Sequence, residues 1–322
     1  MLAVHLENGS VDLRRARRPR RPEGYSLIRI LAAGICNTDL ELQRGYYGFC
    51  GRPGHEFVGV VEESGTRALV GKRVVGEINL ACRKCVWCAQ GLGRHCPTRK
   101  VLGIVNHPGA FAECLVLPDA NLHVVPGSVS TTHAVFAEPI AAACEILDQV
   151  RIPKREEVAV LGDGKLGLLI AQVLHAHGAH VIQFGRHPAK LRIAAAAGIE
   201  TVCNPKRLPK KAFGFVVDAT GSATGLATAA AMTRPRGTVI MKSTLHTAVA
   251  INTAPLIVDE LTLVGSRCGR MEPALRLLER DNLRLDEMIA ATYPLDQAPA
   301  AFAHAARPGV LKVLLLNCSS QS

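Results

Sequence analysis

The sequence predicts an α/β protein with two domains, one mostly β and the other built on a doubly wound parallel sheet. Residues 1–130 are rich in Gly, Pro and short β-branched runs. Residues 131–270 alternate apolar strands with Ala-rich helical stretches, and residues 271–322 return to a mixed pattern. We therefore expect domain boundaries near residues 130 and 270.

The strands of the first region are predicted from short apolar runs between turn-forming residues. These runs are Tyr25–Ile30, Phe57–Glu62, Arg73–Val75 and Phe111–Leu117. Their short length and their flanks rich in Gly and Pro are typical of an irregular β domain.

The second region predicts strands that are apolar along their whole length, namely Val158–Leu161, Val181–Phe184, Phe215–Val217, Val239–Met241 and Leu261–Val264. Helical stretches such as Leu166–His177 and Ala189–Ala197 lie between them. Continuous apolar strands that alternate with helices indicate a parallel sheet covered on both faces. A last apolar run, Val310–Leu316, predicts one more strand near the C-terminus.

Length and composition predict a soluble, cytoplasmic protein with no membrane partner. The chain has 322 residues, of which 48% are hydrophobic, and no apolar run is long enough to cross a bilayer. The first residues lack the apolar core of a secretory signal. The 11 cysteines are therefore expected to stay reduced and to be available for metal binding.

The formal net charge of +11 raises the alternative of nucleic-acid binding. Part of this charge is concentrated in an arginine cluster, which comprises Arg14, Arg15, Arg17, Arg18, Arg20 and Arg21. Two prolines interrupt the cluster, and a solvated turn or strand edge explains it more simply. Nucleic-acid binding is therefore kept as the less favoured hypothesis.

A glycine-rich loop follows the strand Val158–Leu161 and opens the next helix. Its glycines are Gly162, Gly164 and Gly167, with Lys165 and Leu166 between them. In this position the first glycine allows a tight turn, the second lets the backbone approach a pyrophosphate, and the third lets helix and strand pack closely. The loop predicts a dinucleotide site in which the helix N-terminus faces the phosphates.

The end of the next strand, Val181–Phe184, predicts which nicotinamide cofactor binds. An acidic residue there would accept hydrogen bonds from the ribose 2′-hydroxyl of NAD, but the chain continues with Gly185-Arg186-His187. Arg186 can offer its donors to a 2′-phosphate, unless it simply faces solvent. We predict that NADP(H) is preferred over NAD(H), and we include Lys190 among the candidate cofactor-binding residues.

Four closely spaced cysteines, Cys82, Cys85, Cys88 and Cys96, form the most specific pattern in the chain. Four thiolates complete a tetrahedron around zinc and leave no open position, so this site is expected to be structural. An iron–sulfur cluster and an incidental grouping of cysteines are the alternatives. We call these four residues the cysteine quartet.

A second set of metal-ligating residue types, Cys36, His55, Glu56 and Glu138, is dispersed along the chain. A catalytic zinc needs about three protein ligands and one open position. Each residue also has an ordinary explanation, since His55 can be a core histidine, Cys36 a small buried residue and Glu138 an acid at a helix start.

Together these segments resemble the medium-chain dehydrogenase/reductase family, in its zinc-dependent branch of alcohol, sorbitol and threonine dehydrogenases. The resemblance extends over nearly the whole chain. It is carried by Gly34-Ile-Cys-Asn-Thr-Asp39, Gly54-His-Glu56, the spacing of the cysteine quartet, Glu138-Pro139, the glycine loop at 162–167, and the C-terminal stretch from Pro294-Leu295 to Leu311-Lys312-Val313.

The resemblance implies a GroES-like catalytic domain formed by residues 1–130 and 271–322, with a Rossmann domain at residues 131–270 between them. It also implies a homo-oligomer, either a dimer or a tetramer. One departure concerns Glu41, which stands where family members often carry a histidine that passes the substrate proton to solvent. A carboxylate can perform this relay when its pKa and geometry suit.

The expected activity is hydride transfer between a small-molecule alcohol or polyol and the nicotinamide cofactor. Zinc held by Cys36, His55 and one or both of Glu56 and Glu138 would act on the substrate oxygen. Thr38 would take the proton onward, and Asp39 would orient the histidine ligand. The chain would thus bind one catalytic and one structural zinc.

Overall fold

The computed structural model describes residues 1–245 and 248–317. Within it the chain forms two compact units. The first comprises Met1–Glu138, Ala274–Glu279 and the segment that begins at Ile289. The second comprises Pro139–Pro273 and Arg280–Met288. None of the helices in the described ranges is both long and apolar enough to span a bilayer.

The N-terminal part of the chain is mostly β, with three short helices. Its strands are β1 (Leu2–Glu7), β2 (Ser10–Arg15), β3 (Tyr25–Ile35), β4 (Glu56–Ser64), β5 (Arg73–Gly76), β6 (Asn79–Leu80), β7 (Lys100–Leu102), β8 (Asn106–His107), β9 (Cys114–Pro118) and β10 (Leu122–Val124). Its helices are α1 (Asn37–Gln43), α2 (Val86–Ala89) and α3 (Thr131–Ala134).

The middle of the chain alternates strands and helices. Its helices are α4 (Ala137–Gln149), α5 (Lys165–His177), α6 (Pro188–Ala196), α7 (Gly225–Met232) and α8 (Ala254–Val258). Its strands are β11 (Glu157–Leu161), β12 (His180–Gly185), β13 (Glu200–Cys203), β14 (Phe213–Asp218), β15 (Thr233–Met241) and β16 (Thr262–Gly265). The C-terminal part adds α9 (Met271–Glu279), β17 (Ile289–Pro294), α10 (Ala298–Ala305) and β18 (Lys312–Leu316).

The first unit is organised around a seven-stranded sheet. Its strand order is β10-β5-β4-β3-β18-β17, and β9 also pairs with β3. The long central strand β3 is buried along most of its length because β4, β9 and β18 cover its edges. Phe111 and Phe302 meet edge to face in the core, with ring centroids 5.7 Å apart.

The second unit is a six-stranded sheet with the order β13-β12-β11-β14-β15-β16, and all its strand pairs are parallel. This order, which reverses at β11, is that of the Rossmann fold. The predicted α/β fold class is confirmed: a mostly-β unit accompanies a doubly wound parallel sheet.

Some predicted strands differ from the observed ones where the local hydrophobic pattern of the sequence is weak. Strand β9 begins at Cys114 rather than at Phe111, whose carbonyl instead accepts a hydrogen bond from the backbone N–H of Val4. The hairpin of β1 and β2 and the edge strand β13 were not predicted, since neither β2 nor β13 carries a long apolar run. Hairpin pairing with the more apolar β1 holds β2 in place.

Candidate functional site: a zinc centre and a dinucleotide loop

Cys36 and His55 are placed at the ends of structural elements of the first unit. Strand β3 ends at Ile35, so that Cys36 lies at the N-cap of α1, and His55 directly precedes β4. Ligand atoms of Cys36, His55 and Glu56 all lie within 4.8 Å of one another. Sulfur, imidazole nitrogen and carboxylate oxygen are the donors that zinc takes in catalytic sites, and three of them leave one position open.

Asp39 ties the two ligand segments together. It is fully buried, and its carboxylate accepts hydrogen bonds from the backbone N–H of Cys36 at 2.8 Å and of Gly54 at 3.1 Å. One of its oxygens lies 3.5 Å from Nδ1 of His55, which leaves Nε2 as the nitrogen that can face a metal. Burial alone would lower the pKa of His55, but the charge of Asp39 and the nearby thiol of Cys36 raise it well above its usual value.

Glu56 forms an ion pair with Lys312 of β18, and both side chains are only 2% exposed. Burial alone would lower the pKa of Lys312, but the charge of Glu56 holds this pKa above its usual value. Gly34 makes room for the pair, since a Cβ there would lie 2.7 Å from a Glu56 carboxylate oxygen. Lys312 was not predicted as a site residue, although a lone lysine inside an apolar strand is a signal that the sequence carries.

The remaining predicted residues of this centre take different positions. Thr38 is in the first turn of α1, with its hydroxyl 3.8 Å from the sulfur of Cys36. Glu41 lies one turn further along the same helix and accepts a hydrogen bond from Arg44 at 2.6 Å. Glu138, half-buried at the start of α4, is outside the group formed by Cys36, His55 and Glu56.

The cysteine quartet converges on one point. The sulfur atoms of Cys88 and Cys85 are 3.5 Å apart, those of Cys85 and Cys96 are 3.8 Å apart, and those of Cys82 and Cys88 are 3.9 Å apart. A tetrahedral zinc with bonds of about 2.3 Å separates its sulfur ligands by about 3.8 Å. The measured spacing therefore fits a four-thiolate zinc.

Hydrogen bonds and desolvation shift the pKa values of the thiols in the cysteine quartet. A backbone hydrogen bond from Lys84 lowers the pKa of Cys82 to about 6. Desolvation and the neighbouring Cys85 raise the pKa of Cys88 to about 11. Four sulfurs this close can all be ionised only when a cation shares their charge, which is the condition that zinc meets.

The glycine loop of the second unit has the geometry that close backbone packing requires. Gly162 has φ +112°, and a Cβ there would lie 2.5 Å from the carbonyl oxygen of Ala219. A Cβ on Gly167 would lie 2.3 Å from the carbonyl oxygen of Gly162, whereas one on Gly164 would meet nothing within 4 Å. Helix α5 begins at Lys165 and Leu166, so its free N–H groups point toward the open space beside Gly164.

The sequence predicted no acidic residue at the end of β12, but Asp163 lies there, because it comes from the glycine loop rather than from the strand. The carboxylate of Asp163 accepts hydrogen bonds from the backbone N–H groups of Arg186 at 2.8 Å and of His187 at 2.6 Å. It also contacts Nδ1 of His187 at 3.0 Å. Burial alone would raise the pKa of Asp163, but these hydrogen bonds lower it.

Arg186 itself is exposed, and its guanidinium makes no hydrogen bond or ion pair within residues 1–245 and 248–317. Lys190 is half-buried in α6, one turn after the loop that carries Arg186. Both cations are thus positioned around the end of β12, where the cofactor's adenosine ribose binds in a Rossmann fold.

The arginine cluster is partly neutralised within the first unit. Arg14 pairs with Glu7 at 2.5 Å, and Arg18 pairs with Glu62.

Comparison with known proteins supports the resemblance. Residues 22–127 match the family model described as alcohol dehydrogenase GroES-like domain, and residues 166–280 match the one described as zinc-binding dehydrogenase. D-altritol 5-dehydrogenase of Agrobacterium fabrum is 32% identical over 294 residues, which cover 86% of this chain and 87% of that protein.

Two further relatives agree. Sorbitol dehydrogenase of Halalkalibacterium halodurans is 29% identical over 311 residues, covering 89% of this chain and 90% of that protein. The crystal structure of a zinc-binding dehydrogenase from Sinorhizobium meliloti, bound to NADP, matches with a TM-score of 0.89 and 28% identity over 98% of each chain. The chain belongs to the zinc-type medium-chain dehydrogenase/reductase family of alcohol and polyol dehydrogenases.

Proposed function

We propose that the chain interconverts a polyol, or a related secondary alcohol, and its carbonyl product with a nicotinamide dinucleotide as hydride carrier. The observation that carries this proposal is the group of half-buried Cys36 and buried His55 and Glu56, because its three donors leave one position for a substrate oxygen. The sorbitol and D-altritol dehydrogenases among the relatives support the substrate class.

Two zinc ions belong to this proposal. The cysteine quartet holds a structural zinc, and Cys36, His55 and Glu56 hold a catalytic one. Glu56 is chosen over Glu138 as the third ligand because Glu138 lies outside the group. The catalytic zinc would supply Lewis acidity that lowers the pKa of the bound hydroxyl, while the nicotinamide accepts the hydride.

The protein's own residues position this chemistry and remove the proton. Asp39 fixes the orientation of His55 and the start of α1 through its two backbone hydrogen bonds. Thr38, beside the Cys36 sulfur, accepts the substrate proton. Glu41 is three residues further on the same helix face and passes the proton to solvent, in place of the family's histidine.

The cofactor is NADP(H) in preference to NAD(H). The guanidinium of Arg186, which has no partner in the part of the chain that the structure describes, supports this, because a 2′-phosphate prefers a fork of N–H donors. Asp163 would repel that phosphate if its charge were free. Its charge is instead shared with two backbone N–H groups and the imidazole of His187, which also fix the loop that carries Arg186.

The experiment is a substrate panel on zinc-loaded protein with both cofactors. We expect oxidation of sorbitol-like polyols with a higher kcat/KM for NADP+ than for NAD+. Arg186→Ala should lower the value for NADP+ and leave the value for NAD+ nearly unchanged, with Arg192→Ala on the same helix region as a matched control. Activity with no member of the panel would contradict the function, and a clear preference for NAD+ would contradict the cofactor assignment.

We also propose a homo-oligomer, which the exposed apolar side chains near one sheet edge support. Ile257 and Val258 of α8 are 73% and 77% exposed, and Leu263 of β16, the last strand in the sheet order, is 38% exposed. Apolar side chains grouped at a strand edge are typical of an association surface. Light scattering after gel filtration should give a dimer or tetramer mass, and Val258→Glu should reduce it.

A further inference from the structure

A third group of metal-ligating side chains lies in the first unit, apart from the two zinc sites already described. It comprises His5 and Glu7 of β1 and Cys50 of the loop that precedes β4. All three ligand atoms lie within 4.8 Å of one another. We call this group the hairpin triad.

The backbone sets the hairpin triad in place. Successive side chains of a strand point to opposite faces, so His5 and Glu7 share one face of β1 while Leu6 between them is buried. Leu6 and Gly51 exchange two backbone hydrogen bonds, of 2.8 Å and 3.0 Å, in an antiparallel bridge. This bridge sets Cys50 opposite Glu7, on the face that also carries His5.

The distances within the triad suit a tetrahedral zinc. Zinc bonds of about 2.3 Å to sulfur and about 2.05 Å to nitrogen separate those two atoms by about 3.6 Å. The measured distance from Cys50 Sγ to His5 Nε2 is 3.6 Å. The distance from His5 Nε2 to Glu7 Oε2 is 3.9 Å, so a small side-chain movement brings the carboxylate into the about 3.4 Å expected for zinc.

From this geometry we infer that His5, Glu7 and Cys50 form a third zinc-binding site, partly exposed and open at one coordination position. The site differs from the other two in its surroundings. It lies at the surface, and it shares no residue with the cysteine quartet or with the group of Cys36, His55 and Glu56. Its ligand set of nitrogen, oxygen and sulfur favours zinc over calcium or magnesium, which take oxygen ligands.

Arg14 competes with zinc for the carboxylate of Glu7. Its guanidinium lies 2.5 Å from Glu7 Oε2, the same oxygen that faces His5, and 3.6 Å from Asp12. When zinc takes the Glu7 oxygen, Arg14 can turn to Asp12. The zinc affinity of this site is therefore lower than that of the other two sites, and it increases when the arginine side chain is removed.

The test uses full-length protein whose other two sites are already filled with zinc. A further zinc is titrated against a competing chelator, and alkylation of Cys50 by iodoacetamide is followed by peptide mass spectrometry with and without that zinc. We expect wild-type protein to bind one more zinc and to protect Cys50. His5→Gln and Glu7→Gln should each weaken this binding at least about tenfold and abolish protection.

Arg14→Gln is the opposite arm of the test, because it should tighten zinc binding and slow the alkylation of Cys50 further. Arg15→Gln, at the neighbouring position of β2, is the matched control and should change neither readout. A further zinc that binds equally well to His5→Gln, or a Cys50 alkylation rate that zinc leaves unchanged, would overturn the inference. Neither readout depends on catalytic activity, so the outcome is separate from that of the proposed function.

Discussion

In protein that holds zinc only at the cysteine quartet, a Lys312→Met substitution would leave the carboxylate of Glu56 buried without a cation beside it. Methionine keeps much of the length of the lysine side chain and removes its charge. Both partners are only 2% exposed, so water cannot take over the role of Lys312 without opening the sheet. The substitution therefore tests how strongly the ion pair between β4 and β18 stabilises the first unit.

The expected loss is about 3–5 kcal/mol, the usual cost of removing one partner of a buried ion pair. Removing both charges, in Lys312→Met combined with Glu56→Gln, should recover most of this loss because no unpaired charge stays buried. The non-additivity of the two substitutions measures their coupling directly.

Native-state hydrogen exchange, followed by mass spectrometry, is the suitable assay because it resolves the two units. Backbone amides of β4 and β18 should exchange at least about a hundredfold faster in Lys312→Met than in wild-type protein, since about 1.4 kcal/mol corresponds to a factor of ten. Peptides from β11 and β14 of the second unit are the internal control. Unchanged protection of β4 and β18, or a double variant less stable than the single one, would show that the ion pair of Glu56 and Lys312 does not stabilise the first unit.

Three further predictions concern the glycine loop and the cysteine quartet. Gly167→Ala should destabilise the second unit by about 1–3 kcal/mol, because the new Cβ would lie 2.3 Å from the carbonyl oxygen of Gly162; an unchanged melting temperature would contradict this. Gly164→Ala should leave the melting temperature unchanged but weaken cofactor binding measured by calorimetry, since its Cβ would occupy the space through which a pyrophosphate approaches. Cys85→Ser should release the structural zinc, seen by metal analysis, and expose the residue 82–96 segment to proteolysis, while a fully zinc-loaded variant would argue against a four-thiolate site.

The Rossmann half of the fold was readable from the sequence because its signals are local. Each buried strand is a continuous apolar run, and the loop at 162–167 joins one such run to a helix. The prediction for β15 covered only Val239–Met241, whereas the strand starts at Thr233; the added residues include Arg234 and Arg236 and carry no apolar pattern.

The polar partners within the sites were harder to predict because their contacts are non-local. Lys312 of β18 and Glu56 of β4 are 256 positions apart in the sequence, and they meet because both strands pair with β3, which lies between them in the sheet. Asp163 reaches the end of β12 because the tight turn at Gly162 directs its side chain there. In both cases the residue type was visible in the sequence, but its partners depended on the strand pairing for Lys312 and on the turn at Gly162 for Asp163.

The reactive centre is tested most directly by measuring zinc content and polyol oxidation together in Cys36→Ser. This variant should lose the catalytic zinc and the activity, while it keeps the zinc of the cysteine quartet and still binds the cofactor. A variant that retained both its full zinc content and its full activity would contradict the assignment of Cys36, His55 and Glu56 as the catalytic zinc site.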